Sequence, residues 1–306
     1  MIKVFIDGKE GTTGLKLYGR LKGRPDVVVR EIPEAHRKDR EARRDFINES
    51  DVTFLCLPDD GARESVALAE NENVKIIDAS TAHRTAPGWA YGFPELSAAH
   101  RAAIASGKRV ANPGCHASGF IALAYPLLAA GAIEKSGLLH CFSLTGYSGG
   151  GKKMIAEYEA EEKSDALLSP RQYGLGQAHK HLKEMQAVCG LENAPVFSPV
   201  VAPFYAGMQV TLQLYKPAAE LEEIYKEHYK NAKLVRVEKA DAFGGYLPAN
   251  AFAGRDDMLI TVCGNDERAA CVALFDNLGK GASGAAVQNM NVMFGLPEET
   301  GLEIGK

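Results

Sequence analysis

The chain opens with Ile2-Lys3-Val4-Phe5-Ile6, a short apolar run that leads without a break into Asp7-Gly8-Lys9-Glu10-Gly11-Thr12-Thr13-Gly14, after which Leu15-Lys16-Leu17 begins a helical pattern. A strand, a Gly-x-x-Gly-x-x-Gly turn and a helix in that order commit the head of a chain to a parallel α/β arrangement. Glycines at Gly8, Gly11 and Gly14 permit a tight turn and close approach of a pyrophosphate, and the helix N-terminus near Thr12 and Thr13 favours its charge. The pattern therefore predicts a dinucleotide site. The segments beyond it keep the same rhythm. Val27-Val28-Val29 and the apolar run Val52 to Leu57 read as strands buried on both faces, residues 62–70 as a helix, and Val74 to Asp78 as the next strand. The expected fold class is α/β, with a Rossmann-type parallel sheet domain followed by an α+β domain.

The second strand ends at Arg30-Glu31, the point where such a fold reads the ribose 2′ position. Two readings stand there. Glu31 suits a 2′-hydroxyl and NAD, whereas Arg30 with His36, Arg37 and Lys38 suits the 2′-phosphate of NADP; a solvated helix face over His36 to Arg44 is the plainer account of most of those charges. The loop after Asp78 carries Arg84, a clamp for phosphate or carboxylate or else a surface arginine.

Asn112-Pro113-Gly114-Cys115-His116-Ala117-Ser118-Gly119 joins a turn, a thiol and a helix start. Proline and glycine make the turn, and the apolar run from Phe120 toward Ile133 predicts a buried helix, kinked or interrupted near Pro126. Cys115 then sits in the first helical turn, where unpaired N–H groups and the helix dipole favour a thiolate. It is the candidate nucleophile. His116 is adjacent in sequence and does not face it on a helix, so a base has to come from elsewhere.

Six cysteines without a Cys-x-x-Cys pair predict a reducing, cytoplasmic setting. A formal charge of −4 offers nothing to nucleic acid, and no apolar stretch is long enough to span a bilayer. Met1-Ile2-Lys3 leads directly into a strand, so no signal peptide is expected. The 306 residues suit two domains.

Beyond Cys115, a strand over Leu139 to Leu144 runs into Thr145-Gly146-Tyr147-Ser148-Gly149-Gly150-Gly151-Lys152-Lys153. This nearly matches a nucleotide-binding P-loop, but Lys153 stands where a hydroxyl would meet Mg²⁺. Ser148 and Gly149 fit better as backbone donors to an anion or a cofactor. His179, His181 and Glu184 come next. They lack the further ligand a metal would need, so no metal is expected, and histidines two apart point to different faces of a helix. One histidine acting as acid and base for Cys115, with Glu184 orienting a neighbour or gripping substrate, is the better reading. Strands over 200–205, 207–215, 234–237 and 258–263 and a helix over 219–230 complete an α+β domain. Gly279 to Asn291 then opens a last helix whose small residues suit either cofactor contact or helix packing.

Together Asp7 to Gly14, Asp78-Ala-Ser, Asn112-Pro-Gly-Cys115, the histidine segment and Asn277-Leu-Gly-Lys-Gly-Ala-Ser-Gly-Ala-Ala-Val-Gln-Asn289 closely resemble the N-acetyl-γ-glutamyl-phosphate reductase family in its shorter form, over nearly the whole length. The wider superfamily includes aspartate-semialdehyde dehydrogenase, which usually carries its histidine later; the corresponding Pro203 to Gln213 has none here. The longer form tends to read His-Arg-His-x-Pro-Glu-Ile, and here the two histidines and the glutamate match while the intervening residues depart. The resemblance implies a semialdehyde dehydrogenase-like fold and an NADPH-dependent acyl-phosphate reductase of arginine biosynthesis working through a Cys115 thioester, with His179 or His181 as the acid–base group. It implies NADP(H) held by Gly8, Gly11, Thr12, Thr13, Gly14, Arg30, Ser148, Gly149 and Gly284, and substrate contacts from Arg84, Asn112 and Glu184. It further implies domains at 1–114 with 284–306 and at 115–283, the latter catalytic and oligomerising, an acyl phosphate and inorganic phosphate as ligands, and a homotetramer or homodimer.

Overall fold

The computed structural model describes residues 1–239 and 244–305 and divides them into two units. The first comprises Met1–Pro113 and Ala282–Leu302, the second Gly114–Gly281 and the residues from Glu303 onward; Lys306, included in the expected first domain, lies outside the described residues. The unit boundaries differ slightly from those expected. Gly114 belongs with the helix it caps, and Glu303 is tied to the second unit because Asp256 donates its N–H to the Glu303 carbonyl at 2.6 Å while Glu303 N–H donates back to Asp256 Oδ2 at 3.0 Å.

In the first unit the strands are β1 (Ile2–Asp7), β2 (Val27–Arg30), β3 (Val52–Leu55), β4 (Lys75–Asp78), β5 (Ala90–Tyr91) and β6 (Arg109–Ala111). They pair in the order β2-β1-β3-β4-β6-β5, every pairing parallel. Helices α1 (Thr12–Leu21), α2 (Arg40–Asn48), α3 (Asp59–Leu68) and α4 (Ala98–Ser106) are the connections. All four residues of β3 are buried, as a strand covered on both faces must be. The order reverses at β1, so the crevice beyond the carboxyl ends of β1 and β3 is the place where such sheets bind ligands. The helix α1 begins at Thr12, three residues before its apolar pattern, because Gly11 takes the extended N-cap position.

The second unit holds a mixed sheet in the order β11-β12-β13-β10-β7-β9-β8. Its strands are β7 (His140–Gly146), β8 (Arg171–Gln172), β9 (Val196–Ala202), β10 (Met208–Leu214), β11 (Val235–Val237), β12 (Met258–Gly264) and β13 (Ala269–Phe275). Helices α5 (Cys115–Ala129), α6 (Gly151–Glu159), α7 (His181–Cys189) and α8 (Ala218–Tyr229) accompany them, and α5 packs on β10 and β13 with α7 and α8 alongside. Along β7 the side chains of Cys141, Ser143 and Thr145 are buried, while the alternate positions His140 and Phe142 are exposed. The last helix, α9 (Gly284–Met293), lies in the first unit, and all ten of its residues are buried.

Of the kink or interruption expected at Pro126, the interruption is not found. The helix α5 runs through Pro126 and ends at Ala129, short of Ile133. A proline cannot donate to the carbonyl four residues earlier, and here Tyr229 Oη donates to that Ala122 carbonyl at 2.8 Å while Tyr225 Oη donates to Leu123 O at 2.8 Å. Two phenols from α8 thus satisfy backbone acceptors where the helical ladder is weakest.

Candidate active site

Gly114 is the extended N-cap of α5 and Cys115 its first residue. Ser118 N–H makes the first helical bond, to Gly114 O at 2.8 Å, so the N–H groups of Cys115, His116 and Ala117 have no acceptor within the helix. The turn is held from outside. Glu184, buried in the first turn of α7, accepts the Gly114 N–H at 2.7 Å. On the other side the backbone of Gly281 lies so close that a Cβ there would stand 3.0 Å from the Cys115 Cβ. Burial pushes the thiols of Cys56 and Cys189 up to about 12 and of Cys271 to about 11, and raises those of Cys141 and Cys263 as well, which removes all five as nucleophiles at neutral pH. Cys115 itself is half-buried at a helix start.

Around the first turn of α5, within the same unit, gathers a cluster of rings. His116 is buried, with Nδ1 at 2.7 Å from Ser143 Oγ and Nε2 at 2.6 Å from Tyr173 Oη. The ring centroids of His179 and His181 lie 5.7 and 5.6 Å from that of His116, and 4.7 Å from one another. Phe197 closes the cluster at 5.3 Å from His116 and 5.2 Å from His179. Burial, and after it the nearby His179, pushes His116 down to about 3, so this imidazole stays neutral.

The expectation that His179 and His181 point apart fails because only His181 is helical. The helix α7 starts at His181, whose N–H donates to His179 Nδ1 at 3.2 Å. His179 is carried there by a turn in which Gln177 takes a left-handed φ of 52° and donates its N–H to Gly174 O at 3.0 Å. The strain is offset by the Gln177 amide, which donates to Phe197 O and accepts from Phe197 N–H, each at 2.8 Å. Because His179 Nδ1 accepts, a neutral His179 carries its proton on Nε2.

The first unit presents the nucleotide-like cradle. A cavity of about 450 Å³ is lined by Gly8, Lys9, Gly11, Arg30, Glu31, Arg37 and Lys38 together with the ends of β1 and β3. Gly8 has φ 85°, and a Cβ on it would lie 2.5 Å from Cys56 O; one on Gly14 would lie 2.6 Å from Gly8 O. Side chains are therefore excluded at both positions. Thr12 Oγ1 and Arg30 Nη1 are buried polar atoms that bond to no described residue, whereas Glu31 is engaged by Lys9 and by Tyr18 Oη at 2.8 Å. Two orphaned donors, a side-chain-free turn and the cations Arg30, Arg37 and Lys38 in the lining fit a dinucleotide with an extra phosphate.

Three residues expected on substrate have other partners. Arg84 donates to the carbonyls of Asn112 and Ala79, both at 3.1 Å. Asn112 donates to Ala282 O at 2.9 Å and accepts from Asn289 Nδ2 at 3.1 Å, and Glu184 holds Gly114 as described. All three fix backbone or helix positions on either side of Pro113. Ser148 and Gly149 lie in the single turn Tyr147–Gly150 ahead of α6, with Ser148 buried and accepting from Asn277 at 3.0 Å. Gly284 opens the buried α9 in the first unit. Among the described residues no group of three His, Cys, Asp or Glu side chains is arranged to hold a metal ion.

Residues 115–277 match the family model described as the semialdehyde dehydrogenase dimerisation domain, and residues 29–104 that of the semialdehyde dehydrogenase NAD binding domain. A Nostoc sp. protein named N-acetyl-gamma-glutamyl-phosphate reductase 2 is 44% identical over 98% of this chain and 99% of its own. A Sinorhizobium fredii protein named N-acetyl-gamma-glutamyl-phosphate reductase is 46% identical over 95% of this chain and 98% of its own. The chain belongs to the N-acetyl-gamma-glutamyl-phosphate reductase family. Solved structures extend the likeness of fold: an aspartate semialdehyde dehydrogenase from Francisella tularensis matches with a TM-score of 0.72 at 16% identity, covering 96% of this chain and 100% of that one. One from Vibrio cholerae matches at 0.69, also at 16% identity, covering 96% and 98%.

Sequence reasoning misses two residues of the ring cluster at the first turn of α5, His116 and Tyr173, in this member of the reductase family. His116 is discounted there for adjacency, yet α5 is apolar on nearly every side, and a histidine in such a helix must be buried and hydrogen-bonded. That signal is present in the sequence. Tyr173 carries none, since it precedes Gly174 in a loop whose path depends on β8 pairing with β9.

Proposed function

We propose that this protein reduces N-acetyl-γ-glutamyl phosphate to N-acetyl-L-glutamate 5-semialdehyde, releasing inorganic phosphate, with NADPH as reductant, in arginine biosynthesis. The observation that carries the reading is Cys115 at the first position of α5 beside the histidine cluster, in a chain related over 95% or more of its length to proteins named for that reaction. The Cys115 thiolate attacks the acyl carbon, the carbon–oxygen bond to phosphate breaks, and phosphate leaves with the electron pair. The first N–H groups of α5, at Cys115, His116 and Ala117, face the helix start, where they stabilise negative charge on the carbonyl oxygen. When bound, NADPH supplies the hydride that reduces the resulting thioester carbon. The pair His179–His181 takes the thiol proton and returns one as the thiolate is expelled and the aldehyde forms.

Gly8, Gly11, Thr12, Thr13, Gly14 and Arg30 would hold NADP(H), with Arg30, Arg37 and Lys38 on the 2′-phosphate. Glu31 is already engaged by Lys9 and Tyr18, which favours NADP over NAD. Ser148, Gly149 and Gly284 complete the proposed cofactor contacts. Arg84, Asn112 and Glu184 act mainly by fixing the turn around Pro113. A cytoplasmic homodimer or homotetramer is the assembly we propose.

The test is phosphate-dependent reduction of NADP by N-acetyl-L-glutamate 5-semialdehyde, with wild type and Cys115→Ala compared. Activity in the wild type that disappears in the variant supports both substrate and nucleophile. No activity in either, with NADP still bound, refutes the substrate assignment.

A further inference from the structure

Asp7 closes β1, and its side chain alternates with that of Ile6. Ile6 packs with Leu17 and Leu21 of α1, whereas Phe5, on the same face as Asp7, packs with Ile47 of α2 and Leu68 of α3. The buried Asp7 carboxylate is therefore directed away from α1, whose N-terminus favours phosphate. One of its oxygens is taken. Oδ2 accepts from Arg43 Nε at 3.2 Å, from Arg43 Nη2 at 3.1 Å and from Ser65 Oγ at 2.7 Å. Arg43 is held in turn, donating through Nη2 to Ser65 Oγ at 2.7 Å and through Nη1 to Glu64 at 2.6 Å. The ion pair is thus fixed from both α2 and α3. Among the described residues none donates to Asp7 Oδ1.

Asp7 and Arg43 both line the cavity that Gly8 and Gly11 border, so Oδ1 is the atom that Asp7 offers to a ligand there. A carboxylate only accepts, and the ligand atom that meets it has to be a donor. Ile32, Leu57 and Pro58 line the same cavity and suit a flat, largely apolar ring. NADP carries few donors. Its phosphates share the sign of Asp7 and are drawn to the glycine turn and to Arg30, Arg37 and Lys38. The adenosine 3′-hydroxyl stands beside the 2′-phosphate and goes with it, and the carboxamide is at the far end of the molecule. The 6-amino group of adenine remains. Two other carboxylates line the cavity: Glu31 is engaged by Lys9 and Tyr18, and Glu10 lies inside the turn that suits the pyrophosphate.

We propose that Asp7 Oδ1 accepts a hydrogen bond from the 6-amino group of the cofactor's adenine, with Arg43 and Ser65 as the positioning residues that hold its other oxygen. The inference rests on NADP(H) occupying this cavity, and it adds selection of the base to selection of the 2′-phosphate. A hypoxanthine ring carries a 6-oxo group in place of the amine. It would set one acceptor against another.

Equilibrium titration of the intact protein with NADP and with nicotinamide hypoxanthine dinucleotide phosphate reads this contact directly. Wild type is expected to bind NADP about tenfold more tightly than the hypoxanthine analogue, since a hydrogen bond to a charged group is lost. A ratio near one in the wild type overturns the proposal, and that measurement needs no variant. In Asp7→Asn the amide can present either its oxygen or its N–H to the base, so the ratio should fall to about one. Circular dichroism reports on the fold of the variant. If Asp7 only held the turn in shape, Asp7→Asn would weaken both dinucleotides alike and keep the wild-type ratio; a ratio kept in the folded variant overturns the proposal. Failure of both dinucleotides to bind wild type would overturn the cofactor reading and this inference with it. The titration uses no substrate, so a failed substrate assignment would show in the Cys115→Ala assay and leave the ratio untouched.

Discussion

Burial disfavours the charged form of His116, whose nitrogens bond to two neutral hydroxyls, and this makes folding depend on pH. In the unfolded chain His116 binds a proton below about pH 6.5; in the folded protein it does not until about pH 3. Between those values the unfolded state holds more protons, so stability falls as pH falls, by about 1.4 kcal/mol per unit from this residue. In urea unfolding, wild type should therefore lose more stability between pH 7.5 and 5.0 than His116→Gln, by about 2 kcal/mol; equal losses would show that His116 is not held neutral. Arg30 is a second residue with a separable effect. Its guanidinium stacks on Phe46 at 4.9 Å and pairs with Glu49 through Nη2, its Nη1 bonds to no described residue, and the residue lines the cavity together with Gly8 and Gly11. Arg30→Ala should raise KM for NADPH about tenfold or more and change NADH little, because only the former has a 2′-phosphate to lose. Steady-state kinetics with both cofactors measure this, and a parallel loss for NADH would place Arg30 elsewhere in recognition.

At the scale of elements, the features legible in the sequence are those set by local periodicity and turn chemistry. The glycine turn between β1 and α1, the alternation β1 to β4 and the N-terminal position of Cys115 arise from residues within a few positions of one another. What is illegible depends on partners distant in sequence. Pro126 predicts a kink or an interruption in α5, and the helix is not interrupted because Tyr229, more than a hundred residues away, bonds the Ala122 carbonyl. The spacing of His179 and His181 predicts divergence, and they converge because Gln177 pairs with Phe197 and delays the start of α7. The Pro126 account yields a double-mutant test. Tyr229→Phe should destabilise by about 1 kcal/mol. In a Pro126→Ala background, where residue 126 regains an N–H for Ala122, the same change should cost measurably less. Additive losses in urea titrations would mean that Tyr229 does not substitute for the missing helical bond.

For the whole molecule the telling element is α9, whose small residues leave cofactor contact and helix packing equally open in the sequence. Val287 and Met290 are fully buried with Val4, Ile6, Leu17 and Leu21, and Ala286, Val292 and Met293 join the same core. Asn289 further donates to Gly92 O at 2.9 Å and to Asn112 Oδ1 at 3.1 Å. The first unit is thus completed only when the chain returns after Gly281. Burial of side chains such as Val287 and Met290 contributes about 1.5–3 kcal/mol each, and the net stability of a domain is about 5–15 kcal/mol. Losing the whole helix therefore removes an amount comparable to everything the first unit has. Truncation after Gly281 should abolish NADP binding and render residues 1–113 sensitive to protease. Truncation after Leu302 spares α9 and should keep both the binding and the resistance. NADP titration by fluorescence with limited proteolysis of the two truncated proteins measures the difference, and NADP binding retained after Gly281 would mean that β1 to β6 with α1 to α4 hold the cofactor fold unaided.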